Sequence, residues 1–418
     1  MSDHALPGWS RVNLTDLAAY INGYAFKPED WSEHGLPIVR IAQITGSSAD
    51  CDYYQGRLSE DFKIDNGDII FSWSGTLCVV QWNGGPAWLN QHLFKVKPSE
   101  GVSHRLLYHV LSHAVAEMDK SAHGSTMKHI KRSELKRYEL LFPNSRKEQE
   151  KIGRVLNTLD TQIQKTEALI AKLEKVKEGL LHDLLTRGID ESGRLRPSPE
   201  QAPELYKESP LGLIPREWEV VGFLDAVELP SGQISPLIEP YASLPLIAPD
   251  HIEAGVSRLI RVETARDQGA ISGKYIVRPG DVVYSKIRPY LRKAWLADID
   301  SICSADMYPL RPKLLTSAIL LRIVMSESFS TYANAASMRT GIPKINRDEL
   351  SGYTFALPTI QEQVRMENIF QGIERKADKE REALSKLVFE KIGLMDDLLT
   401  GRVRVTPLLD QAQATTPA

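Results

Sequence analysis

Apolar residues recur along two stretches of this chain at alternating spacings of four and three. In the first, Ile152, Leu156, Leu159, Ile163, Ile170, Leu173, Leu180 and Leu184 lie on one seam, broken by Thr166 and Lys177. In the second, Met366, Phe370, Ile373, Ala377, Leu384, Leu387, Leu394 and Leu398 repeat it, broken by Glu380 and Lys391. A 3.5-residue period held this long predicts two coiled-coil helices, over 146–188 and 359–402, each following a proline, Pro143 or Pro358. Adding 214 to any position of the first seam gives the second, polar breaks included, so both seams share one geometry. A helix of about 35 residues is ~52 Å long and would act as a spacer bar between flanking domains. Aspartate at Ile163 or Leu384 is expected to part the helices. Leucine at Lys177 or Lys391 is expected to be tolerated or stabilising, because the two lysines need not meet in an antiparallel pair.

Outside the helices the pattern changes to short apolar runs bounded by Gly, Asn, Asp and Pro. Strands near 36–41, 68–71 and 93–96, with a helix over 104–118, build a first unit at 1–145. Strands near 244–247, 275–277 and 282–285, with a helix over 314–333, build a second at 211–358. The polar, Pro-rich stretch 189–210 reads as a linker and 403–418 as a disordered tail. The fold class expected is α+β: two duplicated mixed α/β domains separated by two long helices that form an antiparallel coiled coil.

The duplication extends through the domains. Lys128-His-Ile-Lys-Arg-Ser-Glu-Leu135 returns as Pro343-Lys-Ile-Asn-Arg-Asp-Glu-Leu350, and Asn66-Gly-Asp-Ile-Ile-Phe-Ser72 as Pro279-Gly-Asp-Val-Val-Tyr-Ser285. Leu6-Pro-Gly-Trp9 is matched by Ile214-Pro-Arg-Glu-Trp218, and both long helices end in Leu-Leu-Thr. The offset stays between 208 and 215, far above a solenoid period, so the unit is a domain plus a helix. Two similar binding surfaces follow, and the mechanism has to use both.

The net charge of −3 argues against nucleic acid until its distribution is seen. Lys120, Lys128, Lys131, Arg132, Lys136 and Arg137 crowd one segment against Glu134 alone. Lys274, Arg278, Lys286, Arg288, Arg292 and Lys293 crowd another against Asp281. Phosphate binding depends on such clusters rather than on overall charge. Three scattered cysteines fit neither a disulfide framework nor a zinc site, and the N-terminus lacks the regions of a signal peptide. No apolar run is long enough to span a bilayer. A cytoplasmic protein without membrane contact is expected.

Catalytic constellations are missing from the pattern. Gly269-Ala-Ile-Ser-Gly-Lys-Tyr275 is one residue short of a phosphate loop and has Tyr where magnesium needs a hydroxyl. His109 and His113 could share a helix face but lack a third ligand. Binding chemistry is better represented. One loop follows the Gly-Asp strand: Ser72, Trp73, Ser74 and Thr76 in the first copy, and Ser285, Lys286, Arg288, Tyr290, Arg292 and Lys293 in the second. A second loop precedes the Ile-x-Arg core: Ser125, Thr126, Lys128, Lys131 and Arg132, matched by Arg339, Thr340, Lys344 and Asn346. Hydroxyl, indole and guanidinium groups of this kind contact phosphates and base edges. Besides a DNA-binding protein, a self-contained nuclease and a coiled-coil scaffold without DNA binding stay open. A metal-dependent cleavage assay and salt-dependent DNA binding would separate them.

Three segments carry a family resemblance: Leu181-His-Asp-Leu-Leu-Thr-Arg-Gly-Ile-Asp-Glu-Ser-Gly-Arg-Leu-Arg-Pro197, Gly212-Leu-Ile-Pro-Arg-Glu-Trp218 and Asp397-Leu-Leu-Thr-Gly-Arg-Val-Arg-Val405. With the duplication, nearly the whole chain resembles the specificity subunit of a Type I restriction-modification system. The resemblance implies a non-catalytic subunit that binds double-stranded DNA through two target recognition domains. It implies two modification subunits and the restriction subunits as partners. No cofactor is implied for this chain; adenosylmethionine, ATP and Mg would belong to the partners. Because the loops of the two copies differ, the expected target is two different half-sites separated by unread bases.

Overall fold

The computed structural model describes residues 6–121, 129–338 and 341–409. They divide into two compact units, 1–168 with 381–418, and 169–380. The boundary crosses both long helices, Arg146–Thr186 and Ile360–Leu399. Each unit therefore owns the first half of one helix and the second half of the other. In the first unit Ile152 and Leu156 share a core with Leu398 and Leu399. In the second, Leu184 shares one with Met366 and Phe370. Start packs against end in both, so the helices run antiparallel, and every predicted seam position is buried or half-buried.

The two units repeat one topology. In the first, a four-stranded antiparallel sheet runs Ala18–Asn22, Leu93–Pro98, Ile69–Ser72, Cys78–Gln81. Its counterpart runs Val227–Glu228, Met307–Pro312, Val282–Ser285, Ala294–Leu296. Each unit adds a second sheet, of four strands in the first and three in the second, with one parallel pair, Leu36–Val39 beside Ala87–Leu89 and Leu246–Ile247 beside Ser301–Cys303. The helix expected over 104–118 is His104–Ser121. Its expected counterpart at 314–333 is two helices, Ser317–Met325 and Glu327–Ser337. Ser326 breaks it by accepting from Phe329 N as the cap of the second helix.

The stretch 189–210 is not a loose linker. Gly188 ends the first long helix with φ 63°, and Ile189, Arg196, Ala202 and Tyr206 behind it are buried. Arg196 forks onto Glu362 in the first turn of the second long helix; its Nη2 lies 3.0 Å from Oε2, which also accepts from Trp218 Nε1 at 2.9 Å. A Cβ at Gly188 would collide with Glu362, Trp218 and Arg196. The first unit repeats this lock with the segment after the second helix: Arg404 Nε and Nη2 donate to Glu148 at 2.7 and 2.9 Å, and the guanidinium lies over Trp9. Arg404 and the buried Val405 are thus packed, although the sequence placed them in a disordered tail. The neighbouring Gln149 and Gln363 donate to the carbonyls of Pro143 and Pro358, both at 2.9 Å, fixing each helix to the strand before it.

Each seam lysine has an acidic partner across the helix pair. Lys177 lies 3.2 Å from Glu374, and Lys391 pairs with Asp160. Behind Glu374 stands Arg322, 2.6 Å away; behind Asp160, at the matching place, stands His109 at 3.8 Å. Burial pushes the Glu374 carboxyl up, but the Arg322 hydrogen bond and the charges of Arg322 and Lys177 outweigh it and hold Glu374 below the usual range. Leucine at these positions is therefore not neutral, because it strands a shielded carboxylate. Lys391→Leu should cost about 1.5–3 kcal/mol, and Lys177→Leu less, since Glu374 keeps Arg322. Urea midpoints of the two variants check this; equal losses would contradict it.

His109 is fully buried, its Nε2 2.6 Å from Asn157 Oδ1, and burial pushes its pKa down despite the Asn157 bond and the Asp160 charge. Above about pH 6.5 the imidazole is neutral in both folded and unfolded chains and contributes no pH dependence. Below that value the unfolded chain takes up the proton first, so stability falls as pH drops through the depressed folded pKa. In His109→Gln the decline of the urea midpoint between about pH 7 and pH 5 should flatten. An unchanged decline would place the effect elsewhere.

Candidate nucleic-acid interface

In each unit the two loops singled out by sequence are zipped together. Ser74 bridges His129, and Ile130 N donates to Trp73 O at 2.9 Å. Ile287 bridges Lys344, and Ile345 N donates to Lys286 O at 2.9 Å. These contacts match at offsets of 213 and 215, so one loop pair is built twice.

The residues shared by the two copies turn out to be scaffolding. Ser72 Oγ donates to Ser74 O at 3.3 Å and Ser285 Oγ to Ile287 O at 3.0 Å, and both serines are buried, as is Ser74. Arg132 Nη2 donates to Tyr20 O at 2.7 Å and Asn22 Oδ1 at 2.9 Å. Its counterpart Arg347, which sequence reading overlooked, donates to the carbonyls of Leu229 and Pro230. Each arginine ties its short helix to the edge of the sheet. Asn346, where the first copy has Lys131, accepts from Glu349 N at 2.9 Å as a helix cap. These side chains are engaged within the fold, at positions where the sequence alone suggests DNA contacts.

Trp73 and Lys286 occupy matching places under the loop. The indole packs against Phe94 and His129, its Nε1 buried. The ammonium lies 4.9 Å over Tyr308, at 8% exposure, and burial together with the Lys344 charge holds its pKa below the ordinary lysine range. Lys293 donates to Pro249 O at 2.7 Å, and the buried Lys274 to Ser272 O at 2.6 Å. The second basic cluster is therefore partly inward-facing. What it shows to solvent is Arg278 and Arg288, with Arg292 half-buried.

Thr76, Lys131, Tyr290 and Lys344 are exposed. Ser125, Thr126, Lys128, Arg339 and Thr340 lie outside the described residues. In the first unit Lys120 and Arg137, with Glu117, Glu134, His129 and Tyr138, line a cleft of about 730 Å³ beside the zipped loops. Hydrophobic residues also face solvent beside the second loop pair: Met338 is 82% exposed and Ile342 65%. Hydropathy alone would have placed both in a core. Among the described residues, no group of three or more His, Cys, Asp or Glu side chains is placed to hold a metal ion. No helix among them is long and apolar enough to cross a membrane.

The arrangement presents, in each unit, a rigid platform with a mixed cationic, hydroxyl and apolar rim. Residues 7–175 match the family model described as Type I restriction modification DNA specificity domain. The chain is 27% identical over 312 residues to the Type I restriction enzyme EcoDI specificity subunit of Escherichia coli, covering 72% of this chain and 68% of that one. It is 21% identical over 415 residues to the MjaVIII specificity subunit of Methanocaldococcus jannaschii, covering 96% and 94%. Its fold is similar to the solved S subunit from M. genitalium, with a TM-score of 0.55 at 14% identity over 96% of this chain and 97% of that one. A structure reported for complex assembly of the type I R-M system gives 0.56 at 15% identity, over 96% and 100%. With the duplicated domains and antiparallel helices already in place, the chain is similar along nearly its whole length to Type I restriction-modification specificity subunits, and residues 7–175 match their DNA specificity domain.

Proposed function

We propose that this chain reads a two-part DNA site, one half through the zipped loops of each unit, for a complex whose catalysis resides in other subunits. The observation that carries this reading is the repeated loop pair, built on the same scaffold contacts but filled with different chemistry. Trp73 and Gly75 in the first unit stand where Lys286 and Arg288 stand in the second, and the second loop is two residues longer. Identical surfaces related by a two-fold would read a palindrome; unlike loops on like scaffolds read two different half-sites. Double-stranded DNA, two modification subunits and the restriction subunits are the partners. Adenosylmethionine, ATP and Mg would enter with those subunits rather than with this chain.

The test is to replace residues 1–143 with the matching domain of a relative and map the methylated sites the complex produces. One half-site should change and the other should stay. A change in both halves or in neither, or a palindromic site for the parent chain, would refute the reading. Binding should also weaken steeply with salt, because phosphate contacts release counterions. A scaffold without DNA contact would show no such dependence.

A further inference from the structure

We infer that Arg288 is a base-reading residue of the second unit, directed at a guanine in the half-site this unit recognises. The inference rests on the DNA-recognition reading above and extends it to a single side chain.

The register of the duplicated loop makes the position unusual. Immediately after the bridge residue the chain turns through the left-handed region in both units, at Gly75 with φ 68° and at Arg288 with φ 48°. The first unit uses the residue that adopts this conformation without steric cost. The second keeps a long branched cation there, although its Cβ disfavours the conformation. Nothing in the fold repays that strain through the side chain. Arg288 is exposed, and its guanidinium has no hydrogen-bond or ion-pair partner among the described residues. Only its backbone is used: its N donates to Pro343 O at 2.8 Å, and its O accepts from Leu291 N at 3.0 Å. A strained residue with an idle, solvent-facing side chain points to a ligand outside the chain.

The chemistry favours a base edge over a phosphate. A phosphate is served by any flexible cation on relaxed backbone, whereas a planar guanidinium fork, carried on a Cα–Cβ bond that the turn aims, suits the O6 and N7 acceptors of guanine. The surroundings agree. Tyr290, two residues on, is 56% exposed, and Ile342, next to the Pro343 that holds Arg288, is 65% exposed. Apolar neighbours fit the floor of a groove, with its methyl groups and base edges, better than the charged backbone.

Arg288→Gly separates this role from a structural one, because it restores the residue the first unit already uses. The full-length chain, co-purified with its partner subunits, would be selected on a randomised duplex library and then titrated with the selected site and a scrambled duplex. Arg288→Gly should leave the unfolding midpoint unchanged or raised. It should weaken the selected site about 5- to 150-fold, the range for one bidentate pair, leave scrambled DNA within about twofold, and erase a guanine preference at one position of one half-site. Arg288→Lys should keep scrambled binding but lose that preference. Equal weakening on all sequences, with a salt slope shallower by about one, would show a phosphate contact and overturn the inference. A lowered midpoint in Arg288→Gly would overturn it in favour of a structural role. A parent complex that selects no sequence would instead overturn the DNA-recognition reading on which it stands.

Discussion

Glu362→Ala should destabilise the protein by about 3–5 kcal/mol, the range for removing one partner of a buried ion pair. Glu362 is fully buried, and four donors converge on its carboxylate: both Nη atoms of Arg196, Trp218 Nε1 at 2.9 Å and Ile189 N at 2.7 Å. Alanine leaves the Arg196 guanidinium, at 8% exposure, with only the Arg187 carbonyl at 3.1 Å and the outlying Glu217 at 3.5 Å, leaves an indole N–H and a backbone N–H unpaired, and opens an empty space between them. Glu362→Gln preserves the volume and some acceptors, so its loss should be intermediate. The matching Glu148→Ala should cost less. The side chain of Arg404 is 27% exposed and can reach water, and Trp9 Nε1 makes no bond that would be broken. Urea midpoints of the three variants give the order; a Glu148→Ala loss equal to that of Glu362→Ala would show that the two locks are energetically alike.

Leu156→Asp should be more damaging than Ile163→Asp, although both sit on the same seam. Leu156 is fully buried in the core formed with Leu107, Leu111 and Leu398, where the helix pair meets the globular part of the first unit. Truncating a leucine in such a place costs about 2–5 kcal/mol, and the added carboxylate must be desolvated as well. Ile163 and Leu384 are only half-buried, so aspartate there can turn its charge to water, and the expected loss falls to about 1–2 kcal/mol. Hydrogen exchange in the helix His104–Ser121 reports the difference: its amides should lose protection in Leu156→Asp and keep it in Ile163→Asp. Comparable loss in both would show that the middle of the seam is as tightly packed as its ends.

The seam itself was fully legible in the sequence, because a 3.5-residue period is a property of one chain read in order. So was the duplication, down to the loops that meet in each unit. The sense of the individual side chains was not. Ser72, Arg132, Asn346 and Lys286 have the residue types of a DNA surface, yet their partners are backbone atoms, a helix end or a ring. For Arg132 these lie 110 and 112 positions away in the chain. Local pattern cannot say whether a guanidinium is already satisfied; only the packed neighbours decide that. Composition likewise read 189–210 as a linker, because its anchor is a buried carboxylate, Glu362, far along the sequence. What the two copies share was visible as similarity and proved to be scaffold. What they do not share, Gly75 against Arg288, acquired meaning only when the structure placed both at one left-handed turn and left the arginine facing water.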